Sequence, residues 1–239
     1  VGNQPVHLGG MMKIYADGSD PDEMVALTEN RTISGFTTNP TLMRKAGITD
    51  YEQFAKQVLQ RIPHHPISFE VFADDHSEME RQAHKLASFG DNVFVKIPIT
   101  NTKGETTTHL IKRLLDSGIK VNVTAVLSSR QINEVTHFLA SETRAILSVF
   151  AGRIADSGVD PKPLIKEALG LAAPNVEVLW ASCREIYNVY EADSIGCHII
   201  TVPNNLIPKL ALRDKDLDEF SLETVKMFYD DAESSGFVL

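Results

Sequence analysis

Residues 93–98 read VFVKIP, and the next such run, residues 120–126, reads KVNVTAV. Apolar side chains occupy both alternating sets of positions in the first run, with Lys96 as the exception. A strand with one solvated face alternates; a run apolar at nearly every position belongs to a parallel strand covered on both faces. Such strands need crossover connections that bury them, and helices are the usual cover. Working outward, similar runs occur at KIYAD (13–17), ISGFTT (33–38), ISFEVF (67–72), AILSVF (145–150), EVLWAS (177–182) and HIITV (198–202). That makes eight candidate strands.

The segments between them carry helical periodicity. DYEQFAKQVLQRI puts Phe54, Val58, Leu59 and Ile62 on one face, with Thr49-Asp50 as cap. SSRQINEVTHFLA groups Ile132, Val135, Phe138 and Leu139 behind a Ser128 or Ser129 cap. REIYNVYEADSIG groups Ile186, Val189 and Tyr190 and stops at Gly196. These stripes are core-facing and carry no chemistry. Eight strand–helix repeats over roughly 225 residues predict an α/β fold, a single (β/α)8 TIM barrel. A doubly wound open sheet is the alternative. No G-x-G-x-x-G follows the first strand and no P-loop is present, so nucleotide binding has no support. The expected organisation is one barrel with a C-terminal helix over residues 12–239. VGNQPVHLGG precedes Met11-Met12 without the charged or apolar regions of a signal peptide, so residues 1–11 read as a tag or linker remnant.

The chain has 239 residues and a formal net charge of −9. That balance disfavours nucleic acid and acidic membrane as partners, while leaving room for a small anion held by a few local arginines. Two cysteines, Cys183 and Cys197, make no metal motif and no disulfide framework, which fits a reducing, cytoplasmic setting. The eight histidines, at 7, 64, 65, 76, 84, 109, 137 and 198, form no ligand-like cluster, which disfavours a metal-dependent enzyme.

Lys96 is therefore the residue to explain. One reading is a strand-end lysine that snorkels to water. The other is a desolvated amine that attacks a carbonyl. In a barrel, chemistry gathers at the C-terminal strand ends. Asp17, Asn39, Glu70, Lys96, Asn122, Thr124, Ser148, Arg153, Ser182 and Arg184 all fall at or just after such ends. Each has a bland reading: Asp17 and Asn39 in turns, Asn122 and Thr124 paired within the barrel, the arginines solvated. Together, in mostly apolar strands, they are expensive unless they meet each other or a ligand. Lys96 as Schiff-base amine, Asp17 and Glu70 as acid and base, Asn39 and Asn122 as hydroxyl binders and two arginines as an anion clamp would form one set.

With these residues in view, the chain resembles the transaldolase family, in its short branch that includes fructose-6-phosphate aldolases. The resemblance runs from KIYADGSD to about residue 203 and rests on GFTTNPTL, VFVKIPIT, SVFAGRIAD and VLWASCREI taken together. It implies a class I aldolase barrel without metal or organic cofactor, sugar-phosphate substrates and a Schiff base on Lys96. It implies Asp17 as acid/base in C–C cleavage, and Glu70 with Thr124 holding a catalytic water. Asn39, Asn122 and Ser148 would bind substrate hydroxyls; Arg153, Ser182 and Arg184 would hold phosphate. It also implies a ring-shaped homo-oligomer, pentamer or decamer, in which LETVKMFYDDAESS packs on a neighbour.

Two positions separate the branches. Transaldolases resemble this chain in carrying Glu at 70 and Phe at 150; the aldolase branch typically has Gln and Tyr. A carboxylate relays protons where an amide cannot, and Phe150 has no hydroxyl with which to protonate an enamine. That favours transfer of a dihydroxyacetone unit over its release. The alternatives are a fructose-6-phosphate aldolase that releases free dihydroxyacetone, and a sugar-phosphate-binding barrel without catalysis. The chain departs from the family pattern at DGSD, Val149, Ala151, Cys183 and ITNTKGE, all expected around the substrate mouth.

Overall fold

The computed structural model describes residues 12–238; the proposed remnant at 1–11 lies outside the described residues. The strands are β1 (Lys13–Asp17), β2 (Ile33–Thr37), β3 (Ile67–Glu70), β4 (Val93–Pro98), β5 (Val121–Val126), β6 (Ala145–Val149), β7 (Val176–Trp180) and β8 (Ile199–Pro203). All pair in parallel, in sequence order, and β1 closes on β8. The expected eight-stranded barrel is therefore present, and the open-sheet alternative is excluded. The helices are α1 (Pro21–Thr28), α2 (Pro40–Lys45), α3 (Tyr51–Arg61), α4 (His76–Ala87), α5 (Thr108–Asp116), α6 (Ser129–Leu139), α7 (Ala151–Asp156), α8 (Lys162–Leu171), α9 (Tyr187–Ser194) and α10 (Leu217–Ser235).

Local chemistry accounts for the helix starts. Asp50 caps α3 through the Gln53 N–H, and Ser128 caps α6 in a reciprocal capping box with Gln131. The predicted stripes face inward: Phe54, Val58, Leu59 and Ile62 are buried, as are Ile132, Val135 and Leu139. They cover the outer face of the barrel, where Phe54 meets Phe69 of β3 edge-on at 6.2 Å. Each fully buried large apolar side chain contributes about 1.5–3 kcal/mol.

Inside the barrel the layers change character. A lower layer of Tyr15, Phe94, Ile146, Leu179 and Ile199 packs as an apolar plug. Gly35 stands beside Tyr15 on β2; a Cβ there would lie 2.6 Å from the tyrosine ring, so only glycine admits it. Two residues further along four of these strands stand Asp17, Lys96, Ser148 and Thr201. Because side chains repeat with period two, the same inward face that seals the floor presents polar groups one layer up.

The chain divides into two compact units, one through Ile207 and one from Pro208. The second contains most of a 3-10 segment at Ile207–Leu212 and α10. Asp216 caps α10 and Gly236 ends it in the left-handed conformation.

Candidate active site

A cavity of about 570 Å³ opens at the C-terminal ends of the strands. Asp17, Asn39, Glu70, Lys96, Asn122, Thr124, Ser148, Phe150, Arg153, Ser182 and Arg184 all line it. Every candidate named from the sequence is thus brought to one site.

Lys96 is 6% exposed. Its Nζ donates to the Thr38 carbonyl at 2.9 Å and lies 3.4 Å from Glu70 Oε2. Strand register places Glu70 and Asn122 directly beside it on β3 and β5. The amine does not snorkel to water; it is held within the barrel mouth between a carboxylate and a backbone carbonyl. Asp17 Oδ1 accepts from Thr37 Oγ1 at 2.9 Å. Burial raises the Asp17 pKa; the Lys96 charge and the Thr37 hydrogen bond oppose it without overcoming it. A carboxyl with raised proton affinity is suited to take and return a proton.

The candidate hydroxyl binders form a second group. Ser148 Oγ donates to Asn122 Oδ1 at 2.6 Å, and Asn122 Nδ2 donates to Ser68 Oγ at 3.0 Å. The Asn122 amide is therefore fixed in orientation by both neighbours. Thr124 Oγ1 is buried without a partner among the described residues. An orphaned buried hydroxyl facing a cavity is a ready site for water or ligand. Asn39 caps α2 through the Leu42 N–H at 2.9 Å, so its carbonyl is engaged while the residue still lines the cavity. Its turn-like role and its place in the site are compatible.

The cationic rim follows β6 and β7. Gly152, in the first turn of α7, lies so close to Ser182 that a Cβ would sit 1.6 Å from the serine carbonyl oxygen. Ser182 itself has φ 61°, beyond the end of β7 rather than on it. Arg184 pairs with Asp156 of α7 through Nη2–Oδ2 at 2.5 Å and Nε–Oδ1 at 3.3 Å. Arg153 lines the cavity with no ion-pair partner among the described residues. Phe150 caps α7 just past β6 and packs against the apolar plug, presenting a carbon wall to the cavity.

Several expectations need correction. Of the departures expected around the mouth, DGSD reaches the cavity through Asp17 and Cys183 lines it, whereas the other three do not. Val149 and Ala151 are fully buried and do not line it. The ITNTKGE loop closes on itself through Asn101 and a Thr100–Thr106 bridge, outside the cavity. The Cys183 thiol is pushed up to about 12 by burial, so it is inert near neutral pH. The site also holds groups that sequence reasoning passed over: Thr37, Ser68, Thr201 and the Thr38 carbonyl.

Three comparisons bear on this site. The model of the family described as Transaldolase/Fructose-6-phosphate aldolase matches residues 14–238. A protein named probable transaldolase from Chelativorans sp. is 34% identical over 222 residues, covering 90% of this chain and 97% of that one. Another of that name from Dehalococcoides mccartyi is 32% identical over 202 residues, covering 83% and 90%. Among solved structures, a putative lyase/mutase from Burkholderia cenocepacia superposes with TM-score 0.59 at 13% identity, over 98% of this chain and 90% of that chain. The structure of 2,3-dimethylmalate lyase does so with TM-score 0.53 at 12% identity, over 96% and 86%. These two likenesses speak to the fold alone.

Proposed function

Because the chain belongs to the transaldolase/fructose-6-phosphate aldolase family, we propose that it transfers a dihydroxyacetone unit from a ketose phosphate to an aldose phosphate through a Schiff base on Lys96. The donor is sedoheptulose 7-phosphate or fructose 6-phosphate. The observation that carries the reading is the burial of Lys96 in one cavity with both Glu70 and Asp17.

The proposed steps draw on the residues that line the cavity. Lys96 Nζ attacks the ketose carbonyl carbon, forming a carbinolamine. Glu70, acting through a water held at Thr124 Oγ1, moves the protons that let this carbinolamine lose water as an iminium. Asp17 takes the proton from the hydroxyl on the carbon beyond the bond to be broken. The C–C bond cleaves, its electron pair passes into the iminium, and an enamine remains on Lys96 while the aldose phosphate leaves. Asn39, Asn122 and Ser148 hold the hydroxyls of the retained three-carbon unit. Arg153, Ser182 and Arg184 hold the phosphate of the leaving and entering aldose. Reversal with a second aldose completes the transfer.

Glu70 and Phe150 favour transfer over release. Phe150 offers the enamine a carbon wall and no proton, so the intermediate waits for an aldehyde. Fructose-6-phosphate aldolase activity is the runner-up, and the ratio of two rates decides. Fructose 6-phosphate with erythrose 4-phosphate should give transfer well above the free dihydroxyacetone released without acceptor. Release as fast as transfer would select the aldolase. We further propose that copies of the chain associate through α10, which has no buried residue and exposes Leu222, Val225, Phe228 and Tyr229.

A further inference from the structure

Asp17 is not held by Thr37 alone. Thr37 Oγ1 lies 2.5 Å from Thr201 Oγ1, so three side chains on β1, β2 and β8 form one chain of hydrogen bonds. Both threonines are buried, and all three residues line the cavity. A threonine hydroxyl carries a single proton. When Thr37 gives its proton to an ionised Asp17, its oxygen must accept from Thr201. When Asp17 is protonated, the carboxyl can donate into Thr37 and both hydroxyls reverse.

We propose that Thr201 is a positioning residue that sets the proton affinity of Asp17 through Thr37. The inference rests on Asp17 being the acid/base of the proposed reaction. The ionised state depends on the pair more than the protonated state does. A hydrogen bond to a carboxylate is about twice as strong as one between neutral groups, and a donor that itself accepts a bond is strengthened further. Removing the Thr201 hydroxyl therefore weakens the Thr37 bond to the carboxylate and raises the pKa of Asp17. The other titratable groups beside Asp17 are Lys96, with Glu70 next to it, and the Cys183 thiol, while Lys45, Arg153 and Arg184 line the same cavity. The flanking strands β2 and β8 carry no titratable side chain, so on those two sides the threonines alone act.

The test is the pH dependence of kcat for ketose cleavage. Cleavage needs ionised Asp17, so activity falls as pH drops through its pKa. In Thr201→Val this acidic limb should move upward by about half a pH unit. Thr201→Ser should restore it, and Thr37→Val should move it at least as far. If thermal melts show Thr201→Val to be misfolded, Thr201→Ala serves in its place. A limb that superimposes on the parent's, while Thr37→Val shifts it, would overturn the role of Thr201. Asp17→Asn separates the two levels. Full cleavage activity in that variant would remove the acid/base reading and this inference with it. Loss of cleavage alongside unmoved Thr201 variants would remove this inference alone.

Discussion

Asp17 trades stability for chemistry. Burial raises its pKa in the folded state above the unfolded value. The folded chain therefore binds its proton at pH values where the unfolded chain has lost it. The contribution of Asp17 to stability is full below the unfolded pKa and is lost as pH rises through the folded one. Asp17→Asn should consequently raise the unfolding free energy at pH 7 while abolishing cleavage. Its advantage over the parent should shrink as pH falls toward 4, measured by denaturant titration at each pH. A variant less stable than the parent at pH 7 would contradict this. The rim arginines give a second residue-scale expectation. Arg153 is unpaired among the described residues, whereas Arg184 is already engaged by Asp156. Arg153→Ala should reduce kcat/KM on phosphorylated ketoses by about 1.5–3 kcal/mol, roughly 10- to 150-fold. Arg184→Ala should cost less, and neither should alter turnover of non-phosphorylated analogues; an equal loss on both substrate types would refute the assignment.

At the scale of elements, the join between β7 and α7 is the tightest point of the site. Gly152→Ala would drive a methyl into the Ser182 carbonyl. The loss should be about 1–3 kcal/mol of stability, read by thermal unfolding. A rise in KM for the phosphorylated donor should accompany it, because Ser182 and Arg153 both move. Unchanged KM in a folded variant would separate this glycine from the anion site. Some of the site was legible in the sequence and some was not. Lys96 and Asn122 stood out because charged or amide side chains are costly in apolar strands. Thr37, Ser68 and Thr201 did not, since small hydroxyl residues are ordinary in strands, and the Thr38 carbonyl has no side-chain signal at all. Val149 and Ala151 were expected at the mouth as departures from the family pattern. The period-two alternation sends Val149 to the opposite face, and Ala151 is fully buried on the short helix α7. The helices α2 and α7, at six residues each, are too short to show a 3.6-residue period. Eight long repeats, by contrast, made the barrel itself readable.

At the scale of the whole molecule, the apolar exposure of α10 predicts self-association. Light scattering coupled to gel filtration should report a multimer for the parent chain and a smaller particle for Val225→Asp with Phe228→Asp. An unchanged mass would place the contact elsewhere. With a net charge of −9, the proposed anion affinity of the mouth is a local property of a few arginines rather than of the overall field. The barrel supplies what that chemistry needs: an apolar floor, a polar layer above it and a cationic rim. The proposed reaction turns on one atom, Nζ of Lys96. The most direct measurement is borohydride reduction in the presence of fructose 6-phosphate, followed by peptide mass mapping. A stable adduct of one three-carbon unit is expected on Lys96, absent without donor and absent in Lys96→Met. An adduct on any other lysine, or inactivation without an adduct, would contradict it.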